Sequence, residues 1–420
     1  RIKSLLASYS MTTKLKVIAG VGIVLMIGTG IFAYSKYKSF SESVIRQLDS
    51  RTGQKLGRRI RFKEIGFSLL NGVVIEGGCV SRAPDFSKGT FFCADRISLR
   101  PDLARLMKNR VGFTEVKLVN PAISVREKGG KWDFDDLLAL LPATSKGLHL
   151  TWNVKKLTLT GAKVEADLAS SGRSFALEHA DITVRHYSGL AGNFELELNG
   201  GLKSAVGGQL FTSTVSVKTD LNFDYSGLTA AFGGAELTGA ALGASTLEKT
   251  AASWELFNMN KPAAEMNYAA HLTAEGLFIP EQSGGASAAV NSALRTLSSV
   301  MGKDAPPVDD IKLESLALDL SLKNGALRVE HLSMDTNFLK VGAEYELNGP
   351  ARSVEIRFGA RAGKNKLDLT AAGPMDAPEI APAMSAALNR RLTAAIRGIN
   401  SFLLKIFPVV TRATPGDKYA

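Results

Sequence analysis

From about residue 60 onward, apolar and polar residues alternate along the chain. The clearest runs are Ile97-Ser98-Leu99, Val116-Lys117-Leu118, Ile123-Ser124-Val125, Leu157-Thr158-Leu159 and Val164 to Leu168. Later come Leu196-Glu197-Leu198, Leu316-Ala317-Leu318-Asp319-Leu320 and Val354-Glu355-Ile356-Arg357-Phe358. Period two predicts strands with one apolar face and one wet face. Asn199-Gly200-Gly201, Gly207-Gly208 and Asn324-Gly325 supply turn signals between the runs, and Asn-Gly is a strong hairpin signal. The pattern predicts a mainly β fold, a long series of antiparallel strands. Ile97, Leu99, Val116, Leu118, Ile123, Val125, Leu157, Leu159, Val164, Leu168, Leu196, Leu198, Leu316, Leu318 and Leu320 are its candidate apolar lining. That lining is almost wholly aliphatic, and a sandwich core usually carries an aromatic anchor. A curved sheet covering something other than a second sheet fits the pattern, and so does a sandwich with an aliphatic core.

Helical spacing appears in four places. Residues 17–35 hold no charge and would reach roughly 28 Å as a helix, close to a bilayer's hydrocarbon thickness. With Tyr34 and Tyr37 at interfacial depth, they predict a transmembrane anchor within a segment 1–38. Lys and Arg lie on both sides of it, so charge bias leaves the orientation open. Residues 39–56 predict a short amphipathic helix carrying Phe40, Val44 and Leu48. Residues 284–303 predict a helical insertion in the β region 146–380, with Val290, Leu294, Leu297 and Met301 on one side. Residues 381–407, within a C-terminal segment 381–420, carry Leu388, Leu392, Ile396, Ile399 and Leu403 in one stripe, with Arg390, Arg397 and Lys405 away from it.

Of the 420 residues 45% are hydrophobic and only 7% aromatic, so the chain is neither disordered nor rich in nucleic-acid-stacking side chains. A net charge of +11 favours anionic partners, and the basic run 55–63 beside the anchor points to lipid headgroups rather than nucleic acid. The five His have no metal-binding spacing, and no nucleophile elbow, phosphate loop or dinucleotide fingerprint occurs. No metal and no cofactor is expected. Cys79 and Cys93 flank a turn around Pro84, so they are either a cross-strand disulfide or two buried thiols.

Several blocks resemble the AsmA-like family of bacterial envelope proteins, which is TamB-related and similar to bridge-like lipid transfer proteins. TGQKLGRRIRF (52–62) after the anchor, FSLLNGVVIEGGCVSRAPDFS (67–87) and residues 93–138 carry the resemblance through the region 39–145. The last block contains Pro121 and ends in Gly130, Trp132, Asp136 and Leu137, with Asp133 where the family usually has Asn. Residues 311–349 and GPMDAPEIAP (373–382) resemble the family's closing repeat. The resemblance implies an inner-membrane anchor with the bulk in the periplasm. It also implies an elongated, strongly curved antiparallel groove that binds phospholipid acyl chains. Transport of phospholipid toward the outer membrane, with other envelope proteins or copies of the chain as partners, would follow. A scaffold subunit of an envelope complex is the alternative, and an enzyme would need a constellation assembled only in space.

Overall fold

The computed structural model describes residues 57–135, 154–280 and 310–406, with short breaks at 69–71, 103, 106–107, 109–112, 170–172, 187–191, 207, 225–226, 262–264 and 384. The expected anchor, the helix at 39–56, the insertion at 284–303, Asp136 and Leu137 lie outside the described residues. The described residues are mainly strand and fall into two compact units.

The first unit runs to Val119 and takes in Asn153–Leu157. Its strands are β1 (Ile60–Arg61), β2 (Glu64–Ser68), β3 (Gly72–Ser81), β4 (Thr90–Pro101) and β5 (Phe113–Val119). All the pairs among them are antiparallel. The register places Ile65, Ile75, Ile97 and Leu118 in one cross-strand row, and Phe67, Val73, Leu99 and Val116 in the next. Alternation therefore sends one face of this sheet apolar, with Val73 fully buried. Gly72 has φ +79°, and a Cβ there would strike the Leu99 carbonyl, so only glycine fits. Cys79 and Cys93 are register partners on β3 and β4, 4.1 Å apart at Cα, and are joined as a disulfide.

The second unit starts with β6 (Ala122–Lys128), which turns through Gly129 and Gly130, both at positive φ, into β7 (Lys131–Trp132). The long strand β8 (Val154–Leu168) runs parallel to β6, with Ile123 beside Val164 and Val125 beside Ala166. This pair departs from the all-antiparallel expectation. A parallel pair needs a long crossover, and residues 129–153 separate the two strands. The two apolar runs around Leu159 and Val164 prove to be one strand. Gly161, at φ +65°, shifts its phase, so Leu159 and Ala162 are both buried.

From there the chain is an antiparallel meander: β9 (Arg173–His186), β10 (Gly192–Val206), β11 (Gln209–Asp224), β12 (Gly227–Leu242), β13 (Ser245–Phe257), β14 (Asn267–Ile279), β15 (Ile311–Lys323), β16 (Ala326–Thr336), β17 (Lys340–Asn348), β18 (Ser353–Ala362), β19 (Asn365–Pro374) and the short β20 (Glu379–Ala381). Asn324-Gly325 forms the β15–β16 hairpin turn, with φ +52° and +73°. Helix α1 spans Ala386–Ile406, inside the 381–407 expected from spacing.

Two buried clusters lie on the apolar side of β14–β19. One joins Ile279, Ile311, Val341, Ala360 and Ala362 to Phe338 and Leu339, which fold in from the β16–β17 loop. The Thr336 hydroxyl donates to the Leu339 carbonyl and accepts its amide, pinning that loop. The other joins Leu322, Leu327, Tyr345, Leu347, Val354 and Met375. Asn400 of α1 sits beside it, accepting from the Tyr345 hydroxyl at 2.5 Å and donating to the Met375 carbonyl at 2.8 Å.

Candidate functional site

Direct cross-strand partners lie on the same face of a sheet. Following them strand by strand from β9 to β19 gives one continuous row: Ile182, Leu198, Val217, Ala235, Ala252, Leu272, Leu318, Leu332, Ala343, Phe358 and Leu369. No polar residue interrupts it, and every member is half-buried. Ten strand spacings of about 4.8 Å make a track of about 48 Å. Where both clusters flank it, on β14–β17, the row passes between them through Leu272, Leu318, Leu332 and Ala343, which belong to neither.

The neighbouring rows contain hydroxyls, yet they do not make the face polar. The Thr219 hydroxyl donates to the Phe232 carbonyl at 3.0 Å, and that of Thr250 to the Thr273 carbonyl at 2.7 Å. Ser213 donates to the Thr238 carbonyl at 3.2 Å, and Ser204 to the Ser174 carbonyl at 3.0 Å. Each hydroxyl is spent on backbone, so a ligand on this face would meet carbon. The aliphatic expectation needs one correction: Trp254 lies opposite Gly233 and Ala270, and Tyr268 and Tyr345 share the same side. Burial pushes both phenols above the usual tyrosine range.

The predicted lining divides between the units. Ile97, Leu99, Val116 and Leu118 form rows in the first, which also holds Leu157. In the second, Ile123, Val125 and Val164 cluster on the parallel β6–β8 pair, where Leu168 aligns with Glu127. Leu198 and Leu318 fall on the track itself, while Leu196, Leu316 and Leu320 occupy the rows beside it. The lining expected from sequence does not include Ile182, Val217, Ala235, Ala252, Leu272, Leu332, Ala343, Phe358 or Leu369, which cross-strand register brings into the row. Of the family-motif residues, Pro121 is fully buried, Gly130 turns the β6–β7 hairpin, and Trp132 stacks on Phe134 at 5.5 Å. The basic run is partly committed to the fold. Arg58 is buried over the Phe91 ring, and Arg61 lies over Phe86.

The opposite face is charged. Glu195 accepts from Arg185 at 2.9 Å and pairs with Lys218 at 3.3 Å, and Glu197 pairs with Lys218 at 3.2 Å and Arg185 at 3.3 Å. Glu197 chiefly holds Lys218, and Glu195 chiefly holds Arg185, above its ordinary pKa. His271 is flanked in register by Ser253 and Asp319, with Nδ1 2.5 Å from the Asp319 carboxylate. An open depression of about 520 Å³ includes all three. Sequence spacing hid this row, since its members come from three strands. Those strands are paired on both sides, so the amides around Ser253 are spent on ladder partners and none is left to hold an oxyanion. Among the described residues no group of three or more His, Cys, Asp or Glu is placed to hold a metal ion. No protein-family model, curated protein or solved structure matches the chain.

Proposed function

We propose that the second unit is a lipid-contact module whose apolar track holds phospholipid acyl chains, in a chain anchored by residues 17–35 with its bulk in the periplasm. The uninterrupted apolar row from Ile182 to Leu369 carries the reading. It supplies about 48 Å of carbon surface with no free hydrogen-bonding group, which suits an alkyl chain and little else. Each methylene removed from water contributes about 0.8 kcal/mol, and translation along the track changes that total little. Sliding therefore needs no catalytic group. The disulfide between Cys79 and Cys93 supports an oxidising compartment. Transport of phospholipid in envelope biogenesis is the process such a module would serve.

Photocrosslinking tests the reading on the full chain. A benzophenone amino acid replaces Leu318 on the track, or Ala317 on the opposite face, in cells. Phospholipid adducts should form at 318 and not at 317. Equal yields at both positions, or only intramolecular peptide adducts at 318, would sink the proposal.

A further inference from the structure

We infer that the outward side of α1 is a docking surface for an anionic phospholipid bilayer. Between Ala386 and Ile406 the helix has four basic residues, Arg390, Arg391, Arg397 and Lys405, and no Asp or Glu. Its seat on the sheet is fixed by Asn400, 3% exposed and bonded to both Tyr345 and the Met375 carbonyl. Leu392, Thr393 and Ile396 are half-buried on that same side, one and two turns earlier. The apolar stripe read from the sequence is wider than this seat. Ile399 belongs to the stripe but is 50% exposed, and Arg390 and Arg397 are exposed as well.

At about 100° per residue, Arg390 and Arg397 stand on one margin of the outward side and Ile399 on the other. A bilayer approaching that side meets cations along one edge and an aliphatic group along the other, as for helices that lie in the headgroup layer of an anionic membrane. A protein surface with an acidic rim could complement the arginines too. The absence of any carboxylate over 21 residues favours a uniform sheet of negative charge over a patterned one. The docking stands whether or not the track binds lipid. Only its purpose rests on the lipid-contact reading: the seat of α1 is the cluster of Tyr345 and Met375, so a bilayer held there adjoins one flank of the track.

The test uses the full chain held in neutral phosphatidylcholine nanodiscs. These are mixed with vesicles of phosphatidylcholine alone, or of phosphatidylcholine with phosphatidylglycerol, and sedimented. Capture should require phosphatidylglycerol and should fade as salt shortens the Debye length from about 30 Å to about 3 Å. Arg390→Glu combined with Ile399→Ser should weaken capture about tenfold or more. Arg390→Lys with Ile399→Leu should retain it, which separates docking from folding. Equal capture of both vesicle types, unchanged capture by the Glu/Ser variant, or a helix that holds an acidic protein while ignoring vesicles would each overturn the inference. Phospholipid bound per chain, measured on the same samples, reports the track separately. Loss of bound lipid with capture intact would count against the track and not against the helix.

Discussion

Leu318→Asp asks the track a quantitative question. Leu318 is half-buried between Leu272 and Leu332 and belongs to neither closed cluster. An acyl chain crossing one strand spacing of about 4.8 Å lays down roughly four methylenes. A hydrated carboxylate at 318 would displace them, at about 0.8 kcal/mol each. The expected loss is about 3 kcal/mol, about a hundredfold in affinity. The folding cost is smaller, about 1–2 kcal/mol, because the side chain starts only half-buried and the carboxylate can reach water when no lipid is bound. Ala317→Asp is the matched control. It lies one residue away on the same strand, between Thr273 and Ser333, and faces the charged side. Fluorescent phospholipid titration of the purified full chain reads both variants, with thermal melting recorded in parallel. A hundredfold gap between Leu318→Asp and Ala317→Asp supports the track. Equal affinities for the two variants, at equal stability, would refute the reasoning.

Other perturbations address the frame that holds the track. Leu347 is fully buried in the Tyr345 cluster, so Leu347→Ala should cost about 2–5 kcal/mol, seen as an earlier urea midpoint with an unchanged slope. Gly233 faces Trp254 across the β12–β13 ladder, and a Cβ there would strike the Lys218 carbonyl and come within 2.7 Å of the Thr219 Cα. Gly233→Ala should destabilise by about 1–3 kcal/mol, and a neutral outcome would mean that β11 and β12 separate easily. The Lys155 ammonium, 2.9 Å away, and the amides of Arg105 and Ala104 hold the Asp102 carboxyl below its usual range. A depressed carboxylate contributes stability that is complete above the unfolded value of about 3.9 and is lost as pH falls through the folded value. Asp102→Asn should therefore melt earlier than wild type at neutral pH, with a gap that narrows below about pH 4; a gap constant down to strongly acidic pH would contradict this.

Alternation made the strands legible wherever a leucine or valine recurred at every second position, as in Leu316 to Leu320. It could not show that Leu198, Val217, Ala235 and Ala252 stand in one row, because register depends on turns and bulges outside each run. The β-bulge near Asn199, where His179 adopts φ +50°, re-phases the end of β9 that carries Phe175 and Leu177 relative to Ile182 and Val184. Gly161 does the same within β8. The parallel β6–β8 pair was invisible for a related reason, since pairing across a crossover leaves no local mark. In α1, Leu392 and Ile396 of the stripe are half-buried, while Ile399 is exposed. Among the described side chains of the helix the most buried is the polar Asn400, whose two bonds are made with Tyr345 and Met375, far away in sequence. No periodicity rule assigns a buried seat to an asparagine. The low aromatic share also hid Trp254, which stands on this face between Gly233 and Ala270.

The two clusters explain why an open apolar track can be stable at all. An antiparallel sheet with one bare apolar face is an aggregation hazard, and a monomer rarely tolerates such a patch beyond a few hundred Å². On β14–β19 the chain answers this with its own groups: Phe338 and Leu339 close one flank, and Asn400 with Met375 sits at the other. Across β9–β13, among the described residues, the corresponding side chains are mostly half-buried, and the buried ones are small: Ala180, Ala231, Ala240, Ser204, Ser213, Thr219 and Ser245. Small residues at those positions lower the floor of the face instead of roofing it. Tying the hydroxyls of Ser204, Ser213 and Thr219 to backbone keeps water from being held there. Self-covering would have been better served by bulky residues, as β15–β18 show with Leu322, Leu327 and Leu347. The difference between the two halves is the pattern expected of a face shaped to be covered by something other than the described strands. An alkyl chain meets that requirement without asking for a single hydrogen bond.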